Sequence, residues 1–409
     1  LKFAANTSKP AANSWPVEAR WLRSLTFIWV TLGLVTLVSA SVPLAERQYG
    51  DGLYFVKRQL VWVLLGLACF GGIVRVPLRR WLSMGSLLYL STLGLVLATH
   101  IPGLGVTQFD ATRWLNLGVA TIQPSEFLKP ALVLQAGTVF GRWFRLPSWY
   151  RGVWIALFGL GLMGILAQPN LSTTAICGMT LWIAACIGGL PFRALANTAA
   201  VGVLSAAISV GVHAYQFRRV ASFWNPLSQQ SGDGYQLVQS LIAIGSGGVW
   251  GTGYGLSQQK LFYLPIQHTD FIFAVFAEEL GLVGSICFLL ILLAFTLLGL
   301  RVAHLCKDLT LRLVACGSLC MLVGQAIVNL GVVSGILPTT GVPLPLFSYG
   351  GSSALASLAI AGFLVRAARE ASGASVIGFP QPLRRSLHPP LQALPPPRSR
   401  RTRVRHLER

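Results

Sequence analysis

Apolar residues in this chain come in long blocks separated by short polar segments, many of them basic. Ten blocks stand out, at 24–42, 59–74, 81–99, 124–140, 152–167, 171–190, 194–213, 271–300, 311–334 and 350–367. Crossing a bilayer takes about 20 apolar residues in a helix. The pattern therefore predicts an all-α integral membrane protein: a polytopic bundle of ten transmembrane helices. A large loop, 214–270, separates the seventh span from the eighth. It holds the apolar run "YQLVQSLIAIG" and then "GSGGVWGTGYG". That is too apolar for disorder, so a folded cap on the outer side is expected. The first block is long enough to span and is read as an anchor, not a cleaved leader.

Basic residues test this topology. With the N-terminus in the cytoplasm, the inner loops hold Arg75, Arg79, Arg80, Arg142, Arg145, Arg151, Arg193, Arg301 and Lys307. The outer loops are longer in total but hold only Arg47, Lys57, Arg58, Arg113, Arg218, Arg219 and Lys260. That asymmetry follows the positive-inside rule. An even number of spans returns the C-terminus to the cytoplasm.

Composition agrees: 54% of the 409 residues are hydrophobic and 11% charged, against about a quarter charged in soluble domains. A net charge of +20 could suggest nucleic acid, but its distribution excludes that. Of 32 Lys and Arg residues, 10 lie from Arg366 onward and 4 precede Leu25. The pattern fits topology signals and contacts with anionic lipid. Residues 1–23 read as a cytoplasmic tail, 24–367 as the membrane domain and 368–409 as a disordered Pro/Arg-rich tail. The seven Cys fall mostly inside apolar blocks, with no CxxC pair, so no protein-held metal site is expected.

A few polar residues stand against this background. Asp270 opens the eighth span. It is either a solvated, inert acid or a general base beside His268 and Thr269. Glu278 and Glu279 lie deeper, Glu278 about 12 Å below Asp270 on a helix. They are read as structural, with Gln325 and Asn329 as partners across the bundle. Glu126 and Lys129 in "QPSEFLK" are three residues apart and can pair; they form either a capped helix start or a grip on an anionic head group. Lys57 and Arg58 in "FVKRQL" are either snorkelling side chains or phosphate ligands. Arg113 adds a cation beside Trp114. The stretch "PTTGVPLPLFSYGGSS" leads into the tenth span, where successive N–H groups can form an anion nest.

The ordered motifs "FVKRQLVW", "TRWLNLG…IQPSEFLKPALVL", "GYQLVQSLIAIGSGGVWGTGYG", "YLPIQHTDFIFAVFAEELGLVG" and "LPTTGVPLPLFSYGGSS" closely resemble the SEDS family (shape, elongation, division and sporulation), the FtsW, RodA and SpoVE proteins. The likeness runs from about Trp21 to Arg366, and the motifs "GYQLVQSLIAIGSGG" and "LPTTG" look more like the division members. It implies ten transmembrane helices and a peptidoglycan glycosyltransferase. Such an enzyme polymerises lipid II on the outer face of the cytoplasmic membrane, with both termini inside, beside a class B penicillin-binding protein and other divisome membrane proteins. Asp270 matches the catalytic acid of "HTDFIF". The substrate-binding set expected on this reading is Arg58, Arg113, Glu126, Lys129, His268, Ser348 and Ser352. A divalent cation, Mg²⁺ or Mn²⁺, is an optional aid at the pyrophosphate; no organic cofactor is expected.

Two positions depart from the family pattern. Asn170 stands in "QPN" where many relatives carry Asp, and "FDATRW" lacks a Gly and a second basic residue often found there. Two rival functions remain open on sequence: a lipid II flippase, and a noncatalytic scaffold recruiting a transpeptidase.

Overall fold

The computed structural model describes residues 15–108, 111–116, 118, 121–224 and 234–371. The expected basic tail from 372 onward lies outside the described residues. Helices occupy all ten expected spans: α1 (Val17–Tyr49), α2 (Tyr54–Arg75), α3 (Leu78–Ala98), α4 (Pro124–Phe140), α5 (Ser148–Leu166), α6 (Leu171–Ile187), α7 (Phe192–Val212), then α10 (Ile272–Leu305), α11 (Leu309–Leu319) continued by α12 (Gln325–Val333), and α13 (Gly351–Ala371). Two helices of the large loop, α8 (Ala214–Trp224) and α9 (Tyr235–Ser246), fall between α7 and α10.

Among the described residues, eight helices are long and apolar enough to cross a membrane, α11 and α12 counting as one; α4 and α6, at 17 residues each, fall short of that length. The first helix begins at Val17, inside the segment read as a tail. The chain is not wholly helical: β1 (Gly105–Gln108), β2 (Ala111–Asn116) and β3 (Thr121–Ile122) form a small antiparallel sheet between α3 and α4.

The last helix is the axis of the bundle. α13 packs chiefly on α2 and also on α1, α4 and α11, and its residues are buried along almost their whole length. α7, by contrast, buries only Leu195 and Ser209 and presents the rest of its apolar surface to lipid. Small residues let α13 approach its neighbours closely, as expected where packing replaces the hydrophobic effect.

The large loop differs most from expectation. It does not simply cap the bundle; it re-enters it. Tyr254 donates from its hydroxyl to Val35 O at 2.8 Å, and Lys260 donates to Ser39 Oγ at 2.8 Å. Those α1 residues lie about 20 and 15 Å from the helix end at Tyr49, at 1.5 Å per residue. Irregular backbone at such depth must find partners within the protein.

It finds them in a break in α10. Gly281 adopts φ 64° and ψ −161°, a conformation that L side chains avoid. The break frees carbonyls and N–H groups that an intact helix would pair. Glu278 O and Glu279 O accept from Thr252 N (3.0 Å) and Gly253 N (3.1 Å). Leu282 N and Val283 N donate to Gly248 O (2.9 Å) and Val249 O (3.2 Å). The Gly-rich strap and the helix break thus satisfy one another.

The two buried acids pin the same strap. Glu279 pairs with Lys260 at 2.8 Å and accepts from Ser39 Oγ. Glu278 accepts from Ser257 Oγ and from Gln258 N at 2.9 Å. The structural role expected for them holds, but their partners are not Gln325 and Asn329, which face α4 and the loop after α12 instead. Lys260, counted from sequence as an outer-loop cation, is buried in this cluster.

Gly281→Ala is expected to destabilise the fold. The added Cβ would lie 2.3 Å from Gly251 N, and the backbone conformation alone costs about 1–3 kcal/mol. Thermal unfolding in detergent should show a marked loss for this variant and none for Gly94→Ala, whose Cβ meets open space.

Candidate active site

A cavity of about 1160 Å³ opens where α2 and α13 start, between β2, α8, α9 and the turn before α10. Among the described residues its wall carries four guanidinium groups, from Arg58, Arg113, Arg218 and Arg219, and one carboxylate, Asp270. An excess of positive charge in a partly enclosed space attracts polyanions and raises their local concentration. The wall also reaches Val61 and Leu65 on the exposed side of α2, so the polar chamber continues into an apolar, lipid-facing surface.

Asp270 sits just before α10, half-buried in the wall. Its backbone carbonyl accepts from Asn329 Nδ2 at 2.8 Å, and the same amide donates to Val342 O at 2.8 Å. One α12 side chain therefore ties the turn bearing the acid to the loop opposite. Burial pushes the carboxyl up to about 6, against the opposing pull of Arg219 and then Arg113. Near neutral pH it is mostly ionised yet still basic enough to accept a proton. Gly341 leaves the space in front of it open: a Cβ there would lie 3.6 Å from Asp270 Oδ2 and 3.5 Å from Arg113 Nη1.

Arg113 is held by its surroundings. It donates to Gln168 O at 2.9 Å and to Pro169 O at 2.6 Å, which binds the sheet to the turn between α5 and α6. Ser352 lines the cavity, its Oγ accepting from Gln123 N at 3.1 Å. Gly350, Gly351 and Ser353 line it too, at the start of α13, although Gly350 N is engaged by Gln59 Oε1 at 3.1 Å.

Four residues of the expected binding set do not line the cavity. Glu126 and Lys129 form a buried pair at 2.7 Å, with Lys129 also donating to Gln325 Oε1 at 2.8 Å. They lie three and six residues beyond Gln123, which does reach the wall. A cation so enclosed needs internal partners, which is why the sequence places an acid three residues away. His268 is buried against Phe55 and Tyr349, with ring centroids at 4.5 and 5.5 Å. Burial lowers its pKa to about 4, so it is a neutral ring in an aromatic cluster. Ser348 is buried and accepts from Leu344 N at 2.9 Å, closing a turn. Lys57 pairs with Asp51 on the surface at 2.8 Å, leaving Arg58 to represent its motif in the cavity.

Arg218 and Arg219 were not singled out from sequence. The signal was present: two adjacent cations on the side where the positive-inside rule disfavours them, as with Lys57 and Arg58. As for a metal, no group of three or more His, Cys, Asp or Glu occurs among the described residues, and the cavity offers a single acid. This donor set does not form a protein-held metal cage, which takes several oxygen ligands.

The family model described as "Cell cycle protein", covering FtsW, RodA and SpoVE, matches residues 19–373. The chain belongs to this family. A Synechocystis sp. protein named "Probable peptidoglycan glycosyltransferase FtsW" is 52% identical over 90% of this chain and 93% of its own. The stage V sporulation protein E of Bacillus subtilis is 33% identical, over 84% of this chain and 95% of its own. A chain from a solved peptidoglycan synthase complex, in which polymerization and crosslinking are coordinated, superposes with a TM-score of 0.69 at 27% identity, covering 86% of this chain and 98% of that one. The rod shape determining protein RodA of Thermus thermophilus gives 0.62 at 28% identity, covering 85% and 96%.

Of the two departures from the FtsW/RodA/SpoVE pattern, the one at Asn170 has a structural place. Asn170 is the N-cap of α6, its Oδ1 accepting from Thr173 N at 3.4 Å. Asn serves as well as Asp in that role, so the cap survives the change. In "FDATRW", residues 109 and 110 lie outside the described residues, while Arg113 is fixed as above.

Replacing Arg219 by Gln should raise the pKa of Asp270 above about 6, and Arg113→Gln should raise it by less, following the order of their influence. Infrared difference titration of the carboxyl band, with Asp270→Asn as blank, would read both shifts; an unmoved or lowered midpoint would contradict this electrostatic account.

Proposed function

We propose that the protein is a peptidoglycan glycosyltransferase. It polymerises lipid II, a disaccharide-pentapeptide on undecaprenyl pyrophosphate, at the outer face of the cytoplasmic membrane during septal wall synthesis. The observation that carries the reading is one carboxylate, raised toward neutrality, among four guanidinium groups in a cavity that runs on into a lipid-facing surface. The relatives named peptidoglycan glycosyltransferase FtsW support it.

The chemistry follows from the charges. Asp270 Oδ2 takes the proton of the acceptor sugar's 4-hydroxyl. That oxygen attacks C1 of the donor sugar, forming the new glycosidic bond as the C1–O bond to the pyrophosphate breaks. The bonding pair leaves with the polyprenyl pyrophosphate, whose growing charge is met by Arg113 and Arg219. The proton then passes from Asp270 to solvent. Substrates with a sugar, a pyrophosphate and a long lipid match the three parts of the cavity: its open volume, its arginines and the Val61–Leu65 surface. On this reading Glu126 and Lys129 act from beneath, as a buried support for the start of α4.

The same reading has ten crossings, with both termini in the cytoplasm, where the basic loops lie. It also includes a class B penicillin-binding protein as partner. Support for the partner is that one structural relative is a chain of a complex that both polymerises and crosslinks.

Purified protein in detergent should convert labelled lipid II to polymer, and Asp270→Asn should lower the rate by about 10²-fold or more, the usual worth of a positioned base. Detergent abolishes sidedness, so a protein that only transports lipid II would make no polymer. Wild-type rates from Asp270→Asn would end the assignment.

A further inference from the structure

A second cavity, of about 460 Å³, lies behind the first, between the start of α6, α7, α8 and the junction of α11 with α12. Its body is apolar, formed by Ile176, Met179, Val220 and Val328 among others. Its mouth is not: Arg113, Arg219 and Gly341 line both cavities. The two chambers therefore share one wall, made of two guanidinium groups and a residue with no side chain.

Two further features mark it as a built site. The α11–α12 helix is interrupted by a π turn, Cys320–Gly324, and both ends of that turn line the cavity. Such bulges in helices occur frequently at functional sites. At the mouth, Thr339 is buried and lines the cavity, yet its Oγ1 has no hydrogen-bond partner among the described residues; the same holds for Thr340 Oγ1. A buried hydroxyl left unsatisfied is costly, and an anionic oxygen at the mouth would satisfy it.

We propose that this cavity binds the polyprenyl chain of the glycosyl donor, with its pyrophosphate on the wall between the chambers. The inference rests on the transferase reading and adds to it where the leaving group goes. The reaction joins two lipid-linked sugars, so two isoprenoid chains must be accommodated at once. With the donor pyrophosphate on Arg113 and Arg219, its sugar faces Asp270 in the large cavity. Its first isoprene units enter the small one, and the rest of the chain passes out beside Met179, which is exposed on the lipid side of α6. The acceptor keeps the Val61–Leu65 side of the large cavity and Arg58. Gly341 puts no side chain on the shared wall, where a Cβ would lie 3.5 Å from Arg113 Nη1 and 3.6 Å from Asp270 Oδ2.

The test is photo-crosslinking of the intact wild-type protein in detergent, using undecaprenyl pyrophosphate with a diazirine on its first isoprene units. Labelling within 172–179 or 320–328 is expected. Ala175→Trp, which fills the cavity from an exposed face of α6, should lower that labelling about tenfold or more while leaving the melting temperature unchanged. Excess phosphatidylglycerol should not displace the probe. Labelling confined to α2 around Val61 and Leu65, or displacement by phosphatidylglycerol at equal concentration, would overturn the proposal. A lipid II polymerisation assay on the same preparation separates the two ideas. Polymer with labelling only on α2 refutes the donor site alone, whereas labelling on α6 without polymer supports the site and refutes the transferase.

Discussion

The structure turns on satisfying backbone and charge where water cannot reach. α10 breaks at Gly281 deep in the bundle, and a broken helix in an apolar medium leaves unpaired groups costing several kcal/mol each. The strap at 247–253 supplies their partners, and Glu278 and Glu279 hold the strap's continuation through Ser257, Gln258 and Lys260. The chain from Lys260 to Asp270 starts at that anchor and ends where Asn329 grips the Asp270 carbonyl. The buried polar cluster and the cavity's carboxylate are thus the two ends of one segment. The opening of α10 carries three carboxylates because one faces the cavity while two hold the loop that delivers it.

Electrostatics in the cavity is a balance of two large opposed influences. Burial raises the pKa of Asp270, while Arg219 and then Arg113 lower it. Together they leave a carboxylate that is ionised near neutrality and still able to take a proton. The same arginines line the wall on which the proposed mechanism places the leaving pyrophosphate. Acid and cations are therefore useful only as a set, which accounts for their being fixed by backbone carbonyls and by Asn329 rather than left on flexible loops.

Much of the fold was legible because hydrocarbon imposes a simple rule: apolar blocks of sufficient length become helices, and all ten did. Asp270, Arg58, Arg113 and Ser352 were legible too, since each departs from the polarity or charge bias of its surroundings and each reaches the cavity. What escaped was pairing between distant segments. Glu278 and Glu279 were assigned to helix neighbours because the re-entry of the strap leaves no periodic signal; its glycines mark flexibility, not destination. The pairing of Lys129 with Glu126 was legible from their spacing, but the burial of the pair beneath α11–α12, away from any head group, was not. His268 reads as a polar ligand beside Asp270, but the ring turns into the cluster of Phe55 and Tyr349. The small sheet was hidden because its strands are too short for alternation to stand out.

The most direct test is the pH dependence of lipid II polymerisation by the purified protein, measured as kcat/KM. An ionised Asp270 is required to take the proton, so the rate should fall as pH drops through about 6 and level off above it. A profile that stays flat down through pH 5, about one unit below that point, would contradict the assignment of Asp270 as the base.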